Sequence, residues 1–305
     1  MQTQSAIPEI AIMVEGQMGL TWPRWQRMAR AVEDLGFVGL YRSDHFTNAE
    51  PPDEDSLELW TSLTWLADRT ERIEFGPLVA PVSFRHPAML VRMAASVQEL
   101  SGGRLTLGVG AGWMAREHRN FSYDLLGVRP RFDRLEEALT VITRLLAGER
   151  VTFSGAYYDF EDAILLPLPE RRVPILIGGN GLNRTLSFAA RFADEWNGIY
   201  LTPEAFTKRT RRLDTLLQQQ GRAPESVRRS IMTGLTFGHD DADVRRQLNG
   251  RSPDDARATG RIAGTASEVK DQLAALAEAG VQRVMLQYLD YDDLSRLEAF
   301  AAAVL

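Results

Sequence analysis

Short runs of β-branched and apolar residues alternate with amphipathic helical stretches along nearly the whole chain, and this alternation most constrains the fold. We predict eight strands, over 7–14, 37–41, 73–79, 105–110, 174–177, 195–199, 230–237 and 281–288. Helices are predicted between them, as over 87–100 and 131–146, where apolar residues recur at the spacing of one helix face. Parallel strands joined by helical crossovers, repeated without a break in composition, favour an α/β fold closed into a (β/α)8 TIM barrel over an open doubly wound sheet.

The length of 305 residues alone would allow two domains. Because barrels of this kind routinely reach this size as one unit, we predict a single domain over 1–305. Two segments depart from the alternation. Residues 148–173 are predicted to form a hairpin-like insertion, and the polar residues 239–262 are predicted to form a mobile loop.

Composition excludes several classes of protein. The absence of cysteine excludes disulfides, thiolate catalysis, iron–sulfur clusters and thiolate zinc sites. The net charge of -6 is spread along the chain, whereas nucleic-acid binding needs a clustered basic face. The N-terminal residues lack the pattern of a signal peptide, and no apolar run approaches the roughly 18–20 residues that cross a bilayer. We therefore expect a soluble, cytoplasmic protein with no nucleic acid or membrane as partner.

Asp44 and His45 follow the second predicted strand and are the best catalytic candidates. Active sites of such barrels lie at the carboxyl ends of the strands. A histidine there can exchange protons near neutral pH, although a histidine taken alone is more often structural. His86, His118 and His239 occupy less favourable positions, and no spacing among the histidines is that of a metal site, so we expect no metal.

Two glycine clusters also follow predicted strands. Gly108, Gly110 and Gly112 do not form the dinucleotide-binding fingerprint, and they either expose a bare face to a flat ring or relieve crowding at the barrel mouth. Residues 178–181, with the sequence GGNG, join a buried strand to a helix. Free backbone N–H groups at such a helix start bind phosphate or carboxylate, and a simple tight turn is the alternative.

Four stretches together resemble the luciferase-like monooxygenase family, and especially its coenzyme F420-dependent (deazaflavin) oxidoreductase branch. They are DLGFVGLYRSDHF, GPLVAPVSFRHPAMLVRMAASVQELSGGRLTLGVGAGW, PILIGGNG with FAARFADEWN, and GTASEVKDQLAALAEAGVQRVMLQ. The match covers most of the chain in order. It implies the same barrel fold and a homodimer.

The resemblance also implies roles for residues of this chain. It places Asp44 and His45 beside the reactive edge of the deazaflavin ring, with His45 handling a proton. It places a bulge of the third strand, often with a non-proline cis peptide, near Leu78 and Val79 behind the ring. Two further sets are implied, the ring contacts Gly110, Ala111 and Gly112 and the phosphate cradle Gly178, Gly179 and Asn180.

Substrate preference is addressed by one departure from the family pattern. Some sugar-phosphate-oxidising relatives carry a catalytic glutamate directly after the glycines of the fourth strand, where this chain has Trp113. We therefore expect a more apolar substrate, in a pocket walled by Trp113, Phe46, Phe84 and the 148–173 insertion.

The predicted activity is hydride transfer between coenzyme F420 and a small organic substrate. A monooxygenase that uses reduced FMN and O2 is the main alternative, since it would share the fold and the phosphate turn. A non-catalytic barrel that binds a flavin or another small ligand is an alternative of a different class.

Overall fold

The buried apolar runs form the strands of a parallel sheet in the computed structural model, which describes residues 7–305. In β1, for example, five of the six side chains are buried. The strands are, in chain order, β1 (Glu9–Val14), β2 (Gly39–Arg42), β3 (Glu74–Pro77), β4 (Ala80–Pro81), β5 (Leu107–Gly110), β6 (Val151–Ser154), β7 (Asp159–Ala163), β8 (Ile175–Gly178), β9 (Glu195–Ile199), β10 (Arg228–Phe237), β11 (Ile262–Gly264) and β12 (Arg283–Gln287).

The sheet closes into a barrel. Its strands follow the order β3, β2, β1, β12, β10, β9, β8, β5 and β4. β3 and β4 are two parts of one strand, interrupted only at Leu78 and Val79, and a bridge between Phe75 and Leu105 joins the first part to the strand after it. With β3 and β4 taken together, eight parallel strands form the ring within residues 7–305, as predicted.

Helices cover the outside of the barrel. They are α1 (Trp22–Asp34), α2 (Leu59–Arg69), α3 (Pro87–Leu100), α4 (Ala115–Asn120), α5 (Val128–Leu146), α6 (Arg184–Phe192), α7 (Pro203–Gln219), α8 (Asp241–Gln247), α9 (Pro253–Ala258), α10 (Ala266–Glu278) and α11 (Ser295–Val304). Among the helices of this part of the chain, none combines the length and apolar character needed to cross a membrane.

The 239–262 segment corrects one prediction. It forms α8 and α9 and reaches β11, where we predicted a loop. Each short helix starts at a side-chain cap, since Asp240 accepts the Asp243 N–H and Ser252 accepts the Asp254 N–H. Only about one turn of each helix packs inward, so their sequences carry little apolar periodicity and resemble a loop.

The predicted hairpin insertion is present. β6 and β7 pair antiparallel, and the Glu137 carboxylate of α5 accepts N–H groups from the turn between them, at Ala156 and Tyr157. These contacts attach the hairpin to the outside of the barrel.

An ion cluster fills the end of the barrel where the strands begin. Arg283, almost fully buried, binds the carboxylates of Glu9 and Glu74 at 2.9 and 2.7 Å and donates to the Tyr41 hydroxyl at 2.8 Å. Because this end is filled, the opposite end is where a ligand can enter the barrel.

Gly76 of β3 lies so close to the strand that contains β5 that only glycine fits there. A Cβ added at Gly76 would lie 1.9 Å from the Thr106 carbonyl oxygen, which belongs to the backbone and cannot turn aside. We predict that Gly76→Ala lowers the free energy of unfolding by about 1–3 kcal/mol, as overpacking of a core does. Chemical denaturation would measure the change. Gly127→Ala is the matched control, because an added Cβ there meets nothing closer than 3.8 Å, and an equal loss in both variants would contradict the steric argument.

Candidate active site

A cavity of about 820 Å³ opens at the carboxyl ends of the barrel strands. This volume is within the range of small-molecule and cofactor sites, roughly 300–1,000 Å³. Every barrel strand, or the residue that directly follows it, contributes to its wall, through Met13, Ser43, Val79, Gly110, Gly178, Asn197, Met232 and Gln287 among others. No three histidine or acidic side chains within residues 7–305 group in a way that could hold a metal ion.

His45 lines this cavity and is held by a carboxylate that the sequence analysis did not select. Its Nδ1 lies 2.9 Å from Oε1 of Glu117, which is fully buried on α4. The other carboxylate oxygen accepts the Phe46 backbone N–H at 3.1 Å. His45 Nε2 has no hydrogen-bond partner in the described residues and is not enclosed by protein, so it stays open to the cavity.

The surroundings of His45 favour its protonated form. Burial alone would lower the pKa of His45, because a buried charge loses solvation. The hydrogen bond and negative charge of Glu117 outweigh this effect, with Glu15 and Asp44 adding to it, and the pKa of His45 is raised above its usual value. The imidazole is therefore suited to accepting a proton and retaining it.

Asp44 is not among the residues that line the cavity, whereas its neighbour His45 is. Its side chain is buried against Arg85, whose guanidinium also binds Glu58 Oε1 at 2.8 Å. Successive residues of an extended chain point to opposite sides, and this alternation persists past the end of β2. Asp44 thus pairs with Arg85 beside the site.

Leu78 and Val79 form one wall of the cavity and are joined by a cis peptide bond, at the position that the family resemblance indicates. The facing glycines make room for this segment. A Cβ at Gly108 would lie 2.1 Å from the Pro77 carbonyl oxygen, and one at Gly110 would lie 2.5 Å from Val79 Cγ2. These glycines therefore do relieve crowding at the barrel mouth. Gly110, Ala111 and Gly112 also line the cavity.

The 178–181 turn lies at another part of the wall, where Gly178, Gly179 and Asn180 are all exposed to the cavity. Gly179 has a φ of 125°, which favours glycine. The Asn180 side chain is held by the Ile199 backbone, since its amide donates to the carbonyl oxygen at 2.7 Å and its Oδ1 accepts the N–H at 2.9 Å. Within the described residues, the N–H groups of Asn180 and Gly181 donate no hydrogen bond, and Asn183 gives α6 no side-chain cap. Free donors therefore collect at a helix start, the arrangement that binds anions.

Two buried side-chain polar atoms of residues that line the cavity have no hydrogen-bond partner within residues 7–305. One is Nε of Arg131, near the start of α5. The other is Oδ1 of Asn197, a fully buried side chain whose amide donates to Ser230 Oγ at 2.9 Å. A ligand with an anionic group and a ring N–H would satisfy both atoms, and the residues present therefore fit a flavin-type cofactor.

The aromatic residues predicted as pocket walls divide into two groups. Trp113 lines the cavity, is 61% exposed and meets His45 edge-on with ring centroids 5.6 Å apart. Phe46, Phe84 and the 148–173 insertion, which we also expected to wall the substrate pocket, are not among the residues that line this cavity. The two phenylalanines stack on each other at 4.5 Å and pack with Phe121 and Tyr123. This aromatic cluster supports α4 from the side away from the cavity.

Comparison with known proteins agrees with this architecture. The sequence model of the luciferase-like monooxygenase family matches residues 9–260. An F420-dependent glucose-6-phosphate dehydrogenase from Microbacterium testaceum is 34% identical over 222 residues, covering 70% of this chain and 63% of that protein. An F420-dependent hydroxymycolic acid dehydrogenase from Mycobacterium tuberculosis is 32% identical over 170 residues, covering 55% and 46%. The chain thus matches less than two thirds of the length of these relatives.

Solved structures show the same fold at lower identity. An F420-dependent secondary alcohol dehydrogenase in complex with an F420–acetone adduct superposes with a TM-score of 0.84 at 18% identity, over 98% of this chain and all of that one. The oxygenating constituent of 3,6-diketocamphane monooxygenase from Pseudomonas putida, in complex with FMN, has a TM-score of 0.79 at 16% identity, over 98% and 97% of the two chains. The family match over most of the chain confirms the predicted resemblance: this protein belongs to the luciferase-like monooxygenase family.

Proposed function

We propose that this protein is a coenzyme F420-dependent oxidoreductase that transfers a hydride between the deazaflavin and a small organic substrate. The observation that carries the proposal is a barrel-end cavity with an open imidazole nitrogen, His45 Nε2, and with free anion-binding donors in the 178–181 turn. The relatives at 32–34% identity are named F420-dependent, which favours deazaflavin over FMN. When bound, the deazaflavin would supply or accept the hydride.

Each wall of the cavity has a task in this proposal. The 178–181 turn and Arg131 hold the anionic part of the cofactor, because free N–H groups and a guanidinium both favour phosphate. Leu78 and Val79 form one support for the ring, and Gly110 to Gly112 form a second. In alcohol oxidation, His45 accepts the hydroxyl proton at Nε2 while the C–H electron pair leaves as hydride, so that the carbonyl forms with the charge balanced.

The charges of the cavity favour an uncharged substrate. Among the described residues that line it, Arg131 is the only arginine or lysine, and in this proposal it serves the cofactor. The remaining charged groups are the carboxylates Glu15 and Glu117, beside His45. Even with His45 protonated, the two carboxylates leave net negative charge at this part of the wall, which disfavours a sugar phosphate but not an alcohol or carbonyl compound.

Cofactor titration tests the proposal directly. We expect saturable binding of oxidised coenzyme F420, followed by fluorescence, and much weaker binding of FMN. Preferential FMN binding would instead support the oxygen-using monooxygenase, and binding of F420 without turnover of any alcohol or carbonyl compound would support a non-catalytic barrel. If neither ligand binds, the assignment of the cavity is wrong.

Arg131→Gln should weaken F420 binding by about tenfold or more, since a charge-assisted hydrogen bond contributes about 1.5–3 kcal/mol. The effect should diminish at high salt, because charge interactions are screened. Arg129→Gln removes an exposed arginine from the same helix outside the cavity and should leave binding unchanged. Equal affinities for both variants would remove Arg131 from the proposed anion site.

His45→Ala should lower kcat by about 10²–10⁴-fold, the range for loss of a general acid or base, while F420 affinity changes little. Steady-state kinetics with a reactive alcohol, together with the same fluorescence titration, would separate the two effects. His86→Ser is the matched control, because His86 caps α3 outside the cavity and serine also caps helices. Unaltered kcat in His45→Ala would exclude the proton-transfer role.

The same proposal includes a homodimer, which the family resemblance implies. An apolar groove between α2 and α3 supports it, because Met89 and Leu100 are 51% and 49% exposed there. The Trp60 indole N–H, buried beside the groove, has no acceptor in the described residues. Exposed apolar area of this kind marks interaction surfaces, and a second chain would cover it.

Sedimentation velocity should therefore show a dimer for the unmodified chain. Met89→Glu combined with Leu100→Glu should convert it to monomer, because two carboxylates would be buried unpaired at the contact. Leu305→Glu, which places a charge at an apolar position of similar exposure, 54%, away from the groove, should leave the dimer intact. A monomeric unmodified chain, or a double variant that stays dimeric, would refute this interface.

A further inference from the structure

Glu117 is a buried carboxylate with an unusual choice of partner. Within residues 7–305, its one charged neighbour at ion-pair distance is His45. A fully buried carboxylate is costly unless it is paired, and arginine is the usual partner. The arginines on its own helix do not serve it, because Arg116 binds Asp53 and Arg119 is exposed. His45 is therefore the residue that pairs with the buried Glu117 carboxylate.

α4 is fixed so that this contact persists. His118, the next residue, is buried and bonds through one ring nitrogen to the Met114 carbonyl at 2.7 Å and through the other to Ser83 Oγ at 2.9 Å. The aromatic cluster of Phe46, Phe84, Phe121 and Tyr123 packs beside it. A six-residue helix has little stability of its own, and these contacts hold Glu117 in position.

We propose that Glu117 is the positioning residue of the active site, which holds His45 with its Nδ1–H directed at the carboxylate and leaves Nε2 as the nitrogen that exchanges a proton with the substrate. The substrate step rests on the proposed function of the cavity, whereas the tautomer and the orientation of His45 do not. Glu117 itself does not contact the reacting atoms. Its effect passes through the imidazole, as a carboxylate behind a catalytic histidine acts in hydrolases.

The charge of Glu117 also sets how firmly His45 holds its proton. The ionisable groups that act on His45 are Glu117 from α4, Glu15 from the end of β1 and the neighbouring Asp44, all acidic. Glu117 alone among them is hydrogen-bonded to the ring. Without its charge, less opposes the effect of burial, and we expect the pKa of His45 to fall.

The test is a pH titration of the cofactor-free protein, in which NMR records the signals of the histidine ring nitrogens. We expect His45 of the unmodified protein to titrate above its ordinary range and to be protonated on Nδ1 when neutral. Glu117→Gln keeps an acceptor oxygen without the charge, so its midpoint should move to lower pH while the tautomer is retained. Glu117→Ala removes both the acceptor oxygen and the negative charge, so in this variant the neutral ring should also lose its preference for a proton on Nδ1. Arg119→Gln, an exposed charge change on the same helix, should alter neither.

Kinetics give a second readout. The rate of alcohol oxidation should rise with pH as His45 becomes deprotonated, and in Glu117→Gln this rise should occur at lower pH. Glu117→Ala should lower kcat by about 10²-fold, with KM little changed. A structural role for Glu117 would lower stability without moving the pH profile.

The NMR results decide the proposal even if a variant does not fold, because the unmodified protein is itself informative. An ordinary or lowered midpoint for His45, or a neutral ring protonated on Nε2, would overturn it. The expected NMR behaviour in a protein that binds no deazaflavin would refute the proposed function and leave the role of Glu117 standing.

Discussion

The close packing of Val79 against glycines of two neighbouring strands determines the shape of the cavity. Its side chain lies where a Cβ at Gly110 would be 2.5 Å away and one at Gly178 would be 3.3 Å away. A larger residue at either glycine would push the Leu78–Val79 segment into the cavity or open the sheet between β4 and β5. The glycines thus make room for Val79, and the position of Val79 in turn determines the shape of this cavity wall. For this reason the two sequence explanations of the glycines, a bare face and relief of crowding, are not alternatives.

The structure separates its buried charges between the two ends of the barrel. Where the strands begin, Arg283 neutralises several carboxylates, and the group contributes to the closed end of the barrel. Where the strands end, Glu117 has a histidine as its charged partner within residues 7–305. An arginine would hold a permanent charge there, whereas a histidine can gain and lose a proton near neutral pH. The choice of partner therefore distinguishes a stabilising ion cluster from a pair that can do acid–base chemistry.

The sequence predicted the fold more completely than the orientation of individual side chains. The eight barrel strands and the bounds of α3 follow from periodicity, which extends over many residues and tolerates local error. The β6–β7 hairpin lies where this periodicity is interrupted. Asp44 follows β2 beside His45, yet its side chain pairs with Arg85 and does not line the cavity, because one residue of extended chain reverses the direction of a side chain. Phe46 and Phe84 lie in a bend and a turn after their strands, where strand alternation does not predict the direction of a side chain. Glu117 was missed because α4 is too short for a periodic signal, and only its position after the glycines of β5 could have indicated it. Arg131 belongs to an ordinary amphipathic helix, so its approach to the cavity depends on how α5 packs.

The distribution of charge along the cavity also restricts how a ligand can be oriented. Free N–H groups at Asn180 and Gly181 favour negative charge in the cavity, and so does Arg131. Glu15 and Glu117 disfavour it beside His45. A ligand with an anionic chain and an uncharged ring is therefore stable with the chain at the 178–181 turn and the ring toward the imidazole, and the reverse orientation would bring like charges together in a poorly solvated space. Under the proposed function, the same field would act on a substrate. It would disfavour an anion beside His45, so that electrostatics would select uncharged compounds before the shape of the cavity does.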